Sequence, residues 1–310
     1  MSNKNQKMTR KQRKIIVIIL AIILFVIMSF TIHRSVAYDK GSSEYYGLTK
    51  QEEKAKNGIL VFCYHRILKN NLGVNVSRTL STNSQLHDFD VPANEFKEQM
   101  EFLHKHNIKV ISGAEMVKMT NSKKPIKGKY AVLTFDDIDR TTIDNAIPIM
   151  KKYNYPFTTF IITGNTGRYR EGTQLATWSQ IHEARKEAGN LMTIGVHTNN
   201  MHYLTSNLIP VFNLPKNYDR FTKDFVKSRK VLKAHTGIYA DSFAYPYGGG
   251  TPRISQFLAR QPHLGWVGTL DSGTVYNNGN GNHTDPIYTP RMIINTNSWP
   301  SIREWFSKKS

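Results

Sequence analysis

Cysteine is almost missing from this chain: Cys63 is the one example in 310 residues. That excludes an intramolecular disulfide and any zinc cluster built on thiolates, so export of the chain, if it occurs, does not depend on disulfide bracing. Cys63 sits inside the apolar run GILVFCYH and reads as a small buried side chain. Acid is missing from the amino terminus, where seven Lys or Arg residues, from Lys4 to Arg34, precede the first carboxylate at Asp39. Internal repeats, low-complexity tracts and nucleic-acid-binding motifs are also absent. The formal charge of +19 therefore has no recognition motif beside it, and nucleic-acid binding would rest on charge alone; no nucleic-acid partner is expected. Lys118, Lys123, Lys124, Lys127 and Lys129 form a basic cluster that reads as a solvated face, with contact to anionic envelope polymers as the alternative.

Charge is lacking again in IIVIILAIILFVIMSFTI, residues 15–32. As a helix this run is about 27 Å long, close to the hydrocarbon thickness of a bilayer. The basic head, residues 1–14, stays cytoplasmic by the positive-inside rule, which directs the remainder outward. Residues 15–32 are read as a transmembrane signal-anchor, 33–57 as a polar linker and 58–310 as the working domain. Ser35–Ala37 resembles a small-residue cleavage site, so the alternative is a removed signal peptide and a secreted or wall-associated product cut after Ala37.

From residue 58 strand-like runs alternate with helix-like ones. The runs fall at 59–65, 109–112, 130–135, 157–162, 192–197, 242–247, 265–270 and 290–294. Helical patterns occupy ANEFKEQMEFLHKH and TTIDNAIPIMKKY, the second with a kink expected at Pro148, and further helices are expected at about 179–188 and 219–234. Repeated βα units imply an α/β fold, a largely parallel sheet closed or nearly closed into a distorted (β/α) barrel. Trp266, within an apolar strand, is assigned to the core.

In such barrels reactive groups lie at the carboxyl ends of strands. YAVLTFDD ends there with Asp136 and Asp137, and MTIGVH ends there with His197, followed by His202. One Asp and two neutral His are a ligand set for zinc or a related divalent ion with positions left open for water and substrate. The two histidines stand five apart, and on a regular helix such residues diverge by about 140°. A loop must turn His202 back, and Asn199 and Asn200 tolerate the left-handed backbone such a turn needs.

TFDD at 134–137, HTNNMH at 197–202 and FAYPYG at 243–248, in this order and spacing, resemble the polysaccharide deacetylases, the NodB homology domains of carbohydrate esterase family four. The resemblance spans roughly residues 58–295. FCYHRI, NAIPIMKKYNYPFTTFIITGNTG and AYPYG look closest to the intercellular-adhesin branch, which removes acetyl groups from extracellular poly-β-1,6-N-acetylglucosamine. Carried over by position, the resemblance implies that Asp136 is the general base, that Asp137, His197 and His202 hold one divalent metal (zinc, with cobalt, nickel or iron as alternatives), and that the backbone N–H of Tyr247 stabilises the oxyanion. A monomer acting on an N-acetylglucosamine polymer is expected. Deacetylation of β-1,4-linked peptidoglycan or chitin-like chains, and a polysaccharide-binding module with a decayed site, are the alternatives.

The chain departs from the wider family in three respects. The ligand histidines stand five apart where most members have four. No arginine precedes PYG to orient the base, and Arg291 is the candidate substitute. Asn295 stands where a late histidine would act as general acid, and His263 and His283 have no motif to recommend them, so the acid is unassigned. For substrate contacts the candidates are His65 at the end of the first strand, Trp178 at a helix start, Tyr245 and Arg291, with ordinary packing as the competing reading for the two aromatics. Residues 66–94 are too long and polar for a simple connector and read as a flexible lid or polymer-binding loop.

Overall fold

Eight strands, all pairing in parallel, make up the main sheet of the computed structural model, which describes residues 8–80, 84–170 and 173–308. They are β1 (Gly58–Tyr64), β2 (Lys109–Val110), β3 (Lys129–Asp136), β4 (Phe157–Ile161), β5 (Met192–Val196), β6 (Ser242–Ala244), β7 (Trp266–Gly268) and β8 (Met292–Ile293). The order across the sheet is β7-β6-β5-β4-β3-β1-β8, with β2 beside the start of β3. Each expected run overlaps one of these strands, and several strands stop short of the run, most visibly at 242–247 and 290–294.

The sheet curls until its edges nearly meet. Residues 289–291 accept and donate backbone hydrogen bonds with β7 and the chain after it: Thr289 N–H to Val267 O at 3.0 Å, Thr269 N–H to Thr289 O at 2.9 Å, and Asp271 N–H to Arg291 O at 3.1 Å. The next two residues then pair with β1. One short segment thus bridges both edges of a distorted barrel, which manages the exposed-edge problem of an open sheet.

The longer helices are α1 (Arg10–Tyr46), α2 (Leu72–Leu80), α3 (Ala93–Lys105), α4 (Gly113–Thr120), α5 (Ile147–Tyr153), α6 (Trp178–Ala188), α7 (Tyr218–Thr236), α8 (Pro252–Ala259) and α9 (Trp299–Ser307). Side chains alternate across each strand. Leu60, Phe62 and Tyr64 of β1 and Leu133 and Phe135 of β3 pack in the larger core with helix residues such as Phe96, Met150 and Phe225. Ile59, Val61, Val132, Phe160 and Trp266 form a second cluster on the opposite face, inside the barrel. Cys63 and Asp136 share the parity of that inner face, so the period of two sends the Asp136 carboxylate into the barrel mouth rather than to solvent.

Pro148 does not kink a continuous helix. The chain makes a π-helical turn over Thr142–Ala146, and α5 starts afresh with Pro148 in its first turn. Proline has no N–H to donate and its ring crowds the carbonyl four residues back, so it is accommodated where a first-turn N–H needs no partner. Residues 66–94 are not a structureless lid. Arg66–Leu68 pairs in parallel with Asp90–Pro92 around α2, Arg78 is ion-paired to Asp90, and Ile67 is held by Thr141 and Asn145 of the neighbouring connection.

At the amino terminus Thr9 caps α1 with Gln12 in a reciprocal capping box. The span Arg10–Val36 is apolar enough to cross a membrane, with none of its most apolar 18-residue stretch buried in the protein; residues 1–7 of the basic head lie outside the described residues. The helix continues through Tyr46, past the expected start of the linker at 33. The end of that linker is docked on the domain: Leu48 is buried, its N–H donates to Ser301 Oγ at 2.9 Å, and Trp305 Nε1 donates to Ala55 O at 2.7 Å. Leu48 supplies the apolar anchor that the polar composition of residues 33–57 obscures.

Candidate active site

The backbone leaves β3 by a tight turn. Asp137 and Ile138 both take left-handed backbone conformations, with φ of 65° and 51°, and Ile138 N–H donates back to Asp136 O at 2.8 Å. A β-branched residue in this region is strained. It is held there because the Ile138 side chain is fully buried and its carbonyl receives the Ala176 N–H. The turn separates the two adjacent acids, directing Asp136 into the barrel and Asp137 across the mouth.

His197 arrives at the end of β5, where its N–H continues the ladder to Ile161 O at 2.9 Å. Its Nδ1 lies 2.8 Å from Ala244 O. That carbonyl can only accept, so Nδ1 carries the proton and Nε2 presents a lone pair. Burial holds the imidazole neutral, with its pKa pushed down to about 3 against the pull of Asp136. His197 Nε2 stands 3.7 Å from Asp137 Oδ1, and His202 Nε2 stands 3.4 Å from the same oxygen. Donors bound at 2.0–2.1 Å to one tetrahedral ion lie roughly 3.3 Å apart. Donor type, lone-pair direction and spacing all fit a divalent cation. On its far side, His202 Nδ1 is 3.3 Å from the Tyr247 hydroxyl, with the two rings 4.8 Å apart. Tyr247 itself sits at φ 58°.

Behind Asp137, Asp136 is held in a two-pronged ion pair. Arg291 Nη1 donates to Oδ1 at 2.7 Å and Nη2 to Oδ2 at 2.8 Å, with both residues at 1% exposure or less. Burial alone would push the Asp136 carboxyl up, but the Arg291 guanidinium holds it well below the ordinary carboxylate range. Arg291 is fixed in turn by Thr134 Oγ1 and Thr269 O. It passes β7 at Gly268, where an added Cβ would lie 2.4 Å from Arg291 Nε. The thiol of Cys63 lies 3.5 Å from Asp136 Oδ2, and burial, with the neighbouring acids, pushes its pKa up so that it stays protonated and donates. A ring nitrogen of His65, Cys63 Sγ and an Asp136 oxygen all lie within 4.8 Å of one another. His65 packs on Phe89, its Nδ1 is buried without a hydrogen-bond partner among the described residues, and burial lowers its pKa.

Three substrate-contact expectations need correction. Arg291 spends its donors inside the barrel on Asp136 and its neighbours, because charge complementarity to a buried carboxylate outweighs exposure to the cleft. Tyr245 is in the core, its hydroxyl 3.0 Å from Ser255 Oγ and its ring against Phe212 and Phe243. Trp178 stacks one face on His235 at 4.3 Å in near-parallel planes and packs against the larger core. Asn295 is a buried capping residue, receiving the N–H groups of Asn297 and Ser298. His263 and His283 are exposed and engage Tyr239 and Thr284. The side-chain contact of Tyr247 with His202 and the thiol of Cys63 beside the base were not foreseen. The periodicity of β1 already gave Cys63 the parity of the inner face.

A parallel sheet curled into a near-closed barrel, with an Asp-His-His cluster and a clamped second aspartate at its carboxyl end, defines the class of the polysaccharide deacetylases, hydrolases of N-acetyl amide bonds. Residues 123–263 match the family model for polysaccharide deacetylase. Among proteins of known role, the poly-β-1,6-N-acetyl-D-glucosamine N-deacetylase of Staphylococcus aureus is 26% identical over 307 residues, covering 95% of this chain and 97% of that one. The Staphylococcus epidermidis enzyme of the same name is 29% identical over 259 residues, covering 83% and 86%. Among solved structures, IcaB from Ammonifex degensii aligns with a TM-score of 0.68 at 29% identity, covering 81% of this chain and 98% of that one.

Proposed function

We propose that this protein is a membrane-anchored N-deacetylase of poly-β-1,6-N-acetylglucosamine outside the cell, and that Asp137, His197 and His202 hold its metal ion, zinc by the preference of one carboxylate and two imidazoles. The observation that carries the reading is the convergence of those three side chains beside an aspartate that a buried arginine keeps ionised. The choice of polymer rests on the two staphylococcal relatives named for it. When bound, the ion supplies Lewis acidity, acidifying water and polarising the acetamide carbonyl.

The remaining roles belong to the chain. Asp136 Oδ2, 4.0 Å from His197 Nε2, accepts the proton of the attacking water, while Arg291 holds both carboxylate oxygens so that the group does not rotate away. The Tyr247 backbone N–H donates to the oxyanion, and the Tyr247 hydroxyl keeps the His202 ring in place. His65 is the group placed to return a proton to the leaving amine, because its nitrogen lies within reach of Asp136. All of these residues come from one chain, so a monomer suffices. Anchoring is supported by the unbroken helix through Ser35–Ala37, where the Ser35 hydroxyl donates to Arg78 O at 3.3 Å.

The test is acetate release by the full-length protein in detergent micelles from β-1,6- and β-1,4-linked N-acetylglucosamine oligomers. Release from the β-1,6 series, stopped by chelation, restored by added zinc and lost in Asp136→Asn, is expected. Preference for the β-1,4 series would overturn the choice of polymer, and release unaffected by chelation would overturn the metal reading.

A further inference from the structure

The five-residue step between His197 and His202 has to be folded back on itself. Thr198 supplies the reversal with φ 69°, a left-handed conformation for a buried β-branched residue. Two sets of contacts hold it. On one side the carbonyls of Thr198 and Asn199 accept the N–H groups of Thr163 at 3.2 Å and Gly164 at 3.0 Å, and Thr163 Oγ1 donates to Asn199 Oδ1 at 3.1 Å. Only glycine fits at 164, where a Cβ would stand 2.2 Å from Asn200 Oδ1 and 2.5 Å from Asn199 O. On the other side stands Asp224, in the second turn of α7 between the core residues Phe221 and Phe225. Its Oδ1 accepts the Asn199 N–H at 2.7 Å and its Oδ2 accepts the Asn200 N–H at 2.8 Å. Met201 is then fully buried, drawing the chain into the core before His202 emerges.

We propose that Asp224 is a positioning residue of the metal centre: by taking both N–H groups on one carboxylate it enforces the left-handed turn at Thr198, and so sets the angle at which His197 and His202 meet Asp137. This rests on the reading of Asp137, His197 and His202 as metal ligands. Two ionised oxygens are essential to the arrangement. An asparagine of the same size would keep one acceptor and turn an NH2 toward the other N–H, opposing donor to donor. Asp224 touches neither metal nor substrate and acts only through the backbone between the ligands.

The experiment uses full-length, metal-free protein in detergent, titrated with Co2+ and followed by the visible absorption of the bound ion. Wild type is expected to bind and His202→Ala to lose binding. Asp224→Asn is expected to bind Co2+ about 10–100-fold more weakly, the usual cost of removing an outer-shell partner, with a shifted absorption band. Adding Thr198→Gly to Asp224→Asn is expected to recover affinity, because glycine adopts the turn without enforcement. If Asp224→Asn alone does not fold, the double variant measured against Thr198→Gly decides, and the same 10–100-fold loss with no recovery overturns the proposal. Wild-type affinity and band in Asp224→Asn, whatever its melting temperature, would also overturn it. Equal Co2+ binding by wild type and His202→Ala would instead defeat the metal reading on which it rests, a distinguishable result.

Discussion

Asp136 and Arg291 show how one residue pair governs the chemistry. A buried carboxylate resists ionisation, and a base must be ionised, so the enzyme needs a buried cation to reconcile the two. Arg291→Met removes that cation while keeping much of the volume, and leaves burial unopposed. Breaking a buried pair in this way is expected to cost about 3–5 kcal/mol of stability, read by urea denaturation. The pH dependence follows in sign. A carboxyl held below its ordinary range contributes stability above that range and loses it as pH falls through the depressed value. Without Arg291 the carboxyl pKa rises, so the acid limb of kcat/KM is expected to move to higher pH and activity at neutrality to fall. An unmoved limb would show that Arg291 does not control the ionisation of Asp136.

At the level of elements, the site is made by strand ends and by what neighbouring strands omit. β7 contributes nothing chemical, but Gly268 leaves the space through which Arg291 reaches Asp136. Gly268→Ala is therefore expected to behave as a partial Arg291 variant. It should destabilise by about 1–3 kcal/mol, the range for an overpacked interior, and lower kcat/KM more than it raises KM; wild-type kinetics would show that the arginine has room to spare. The strands themselves were readable from the sequence because most are buried on both faces and so appear as apolar runs. Their ends were less so. The runs at 242–247 and 290–294 include residues that have left the ladder to form the PYG turn and the seam, where apolar character reflects burial without strand pairing. The helix through Pro148 was misjudged for a related reason: periodicity records which face is buried, and that face survives the π turn.

For the whole molecule, what was legible is the set of groups that announce themselves locally, such as adjacent acids or a histidine closing an apolar run. What was not legible is pairing across the fold. Arg291 meets Asp136 from 155 residues away and Tyr247 meets His202 from 45, and no local pattern encodes such contacts. The buried tyrosines give a property of the entire domain. Tyr245 and Tyr155 have pKa values pushed up to about 12 by burial, and burial raises Tyr64 well above its ordinary value too. Groups whose folded pKa exceeds the ordinary value of 10 contribute stability fully below it and lose it as pH rises through the folded value. Stability is expected to hold to about pH 10 and decline steeply by pH 12, with Tyr245→Phe flattening part of the slope in denaturation curves. An unchanged slope in that variant would remove Tyr245 from the account.

The seam at residues 289–293 bears on biogenesis. The guanidinium that neutralises Asp136 lies 155 residues beyond it, in the segment that closes the barrel, so until that segment docks a lone anion faces the half-built interior. A truncated product cannot mature into a weaker enzyme; it lacks the counter-ion as well as the strand. Catalytic competence in this protein thus appears in one step: docking of the seam closes the barrel and supplies the counter-ion of the base together.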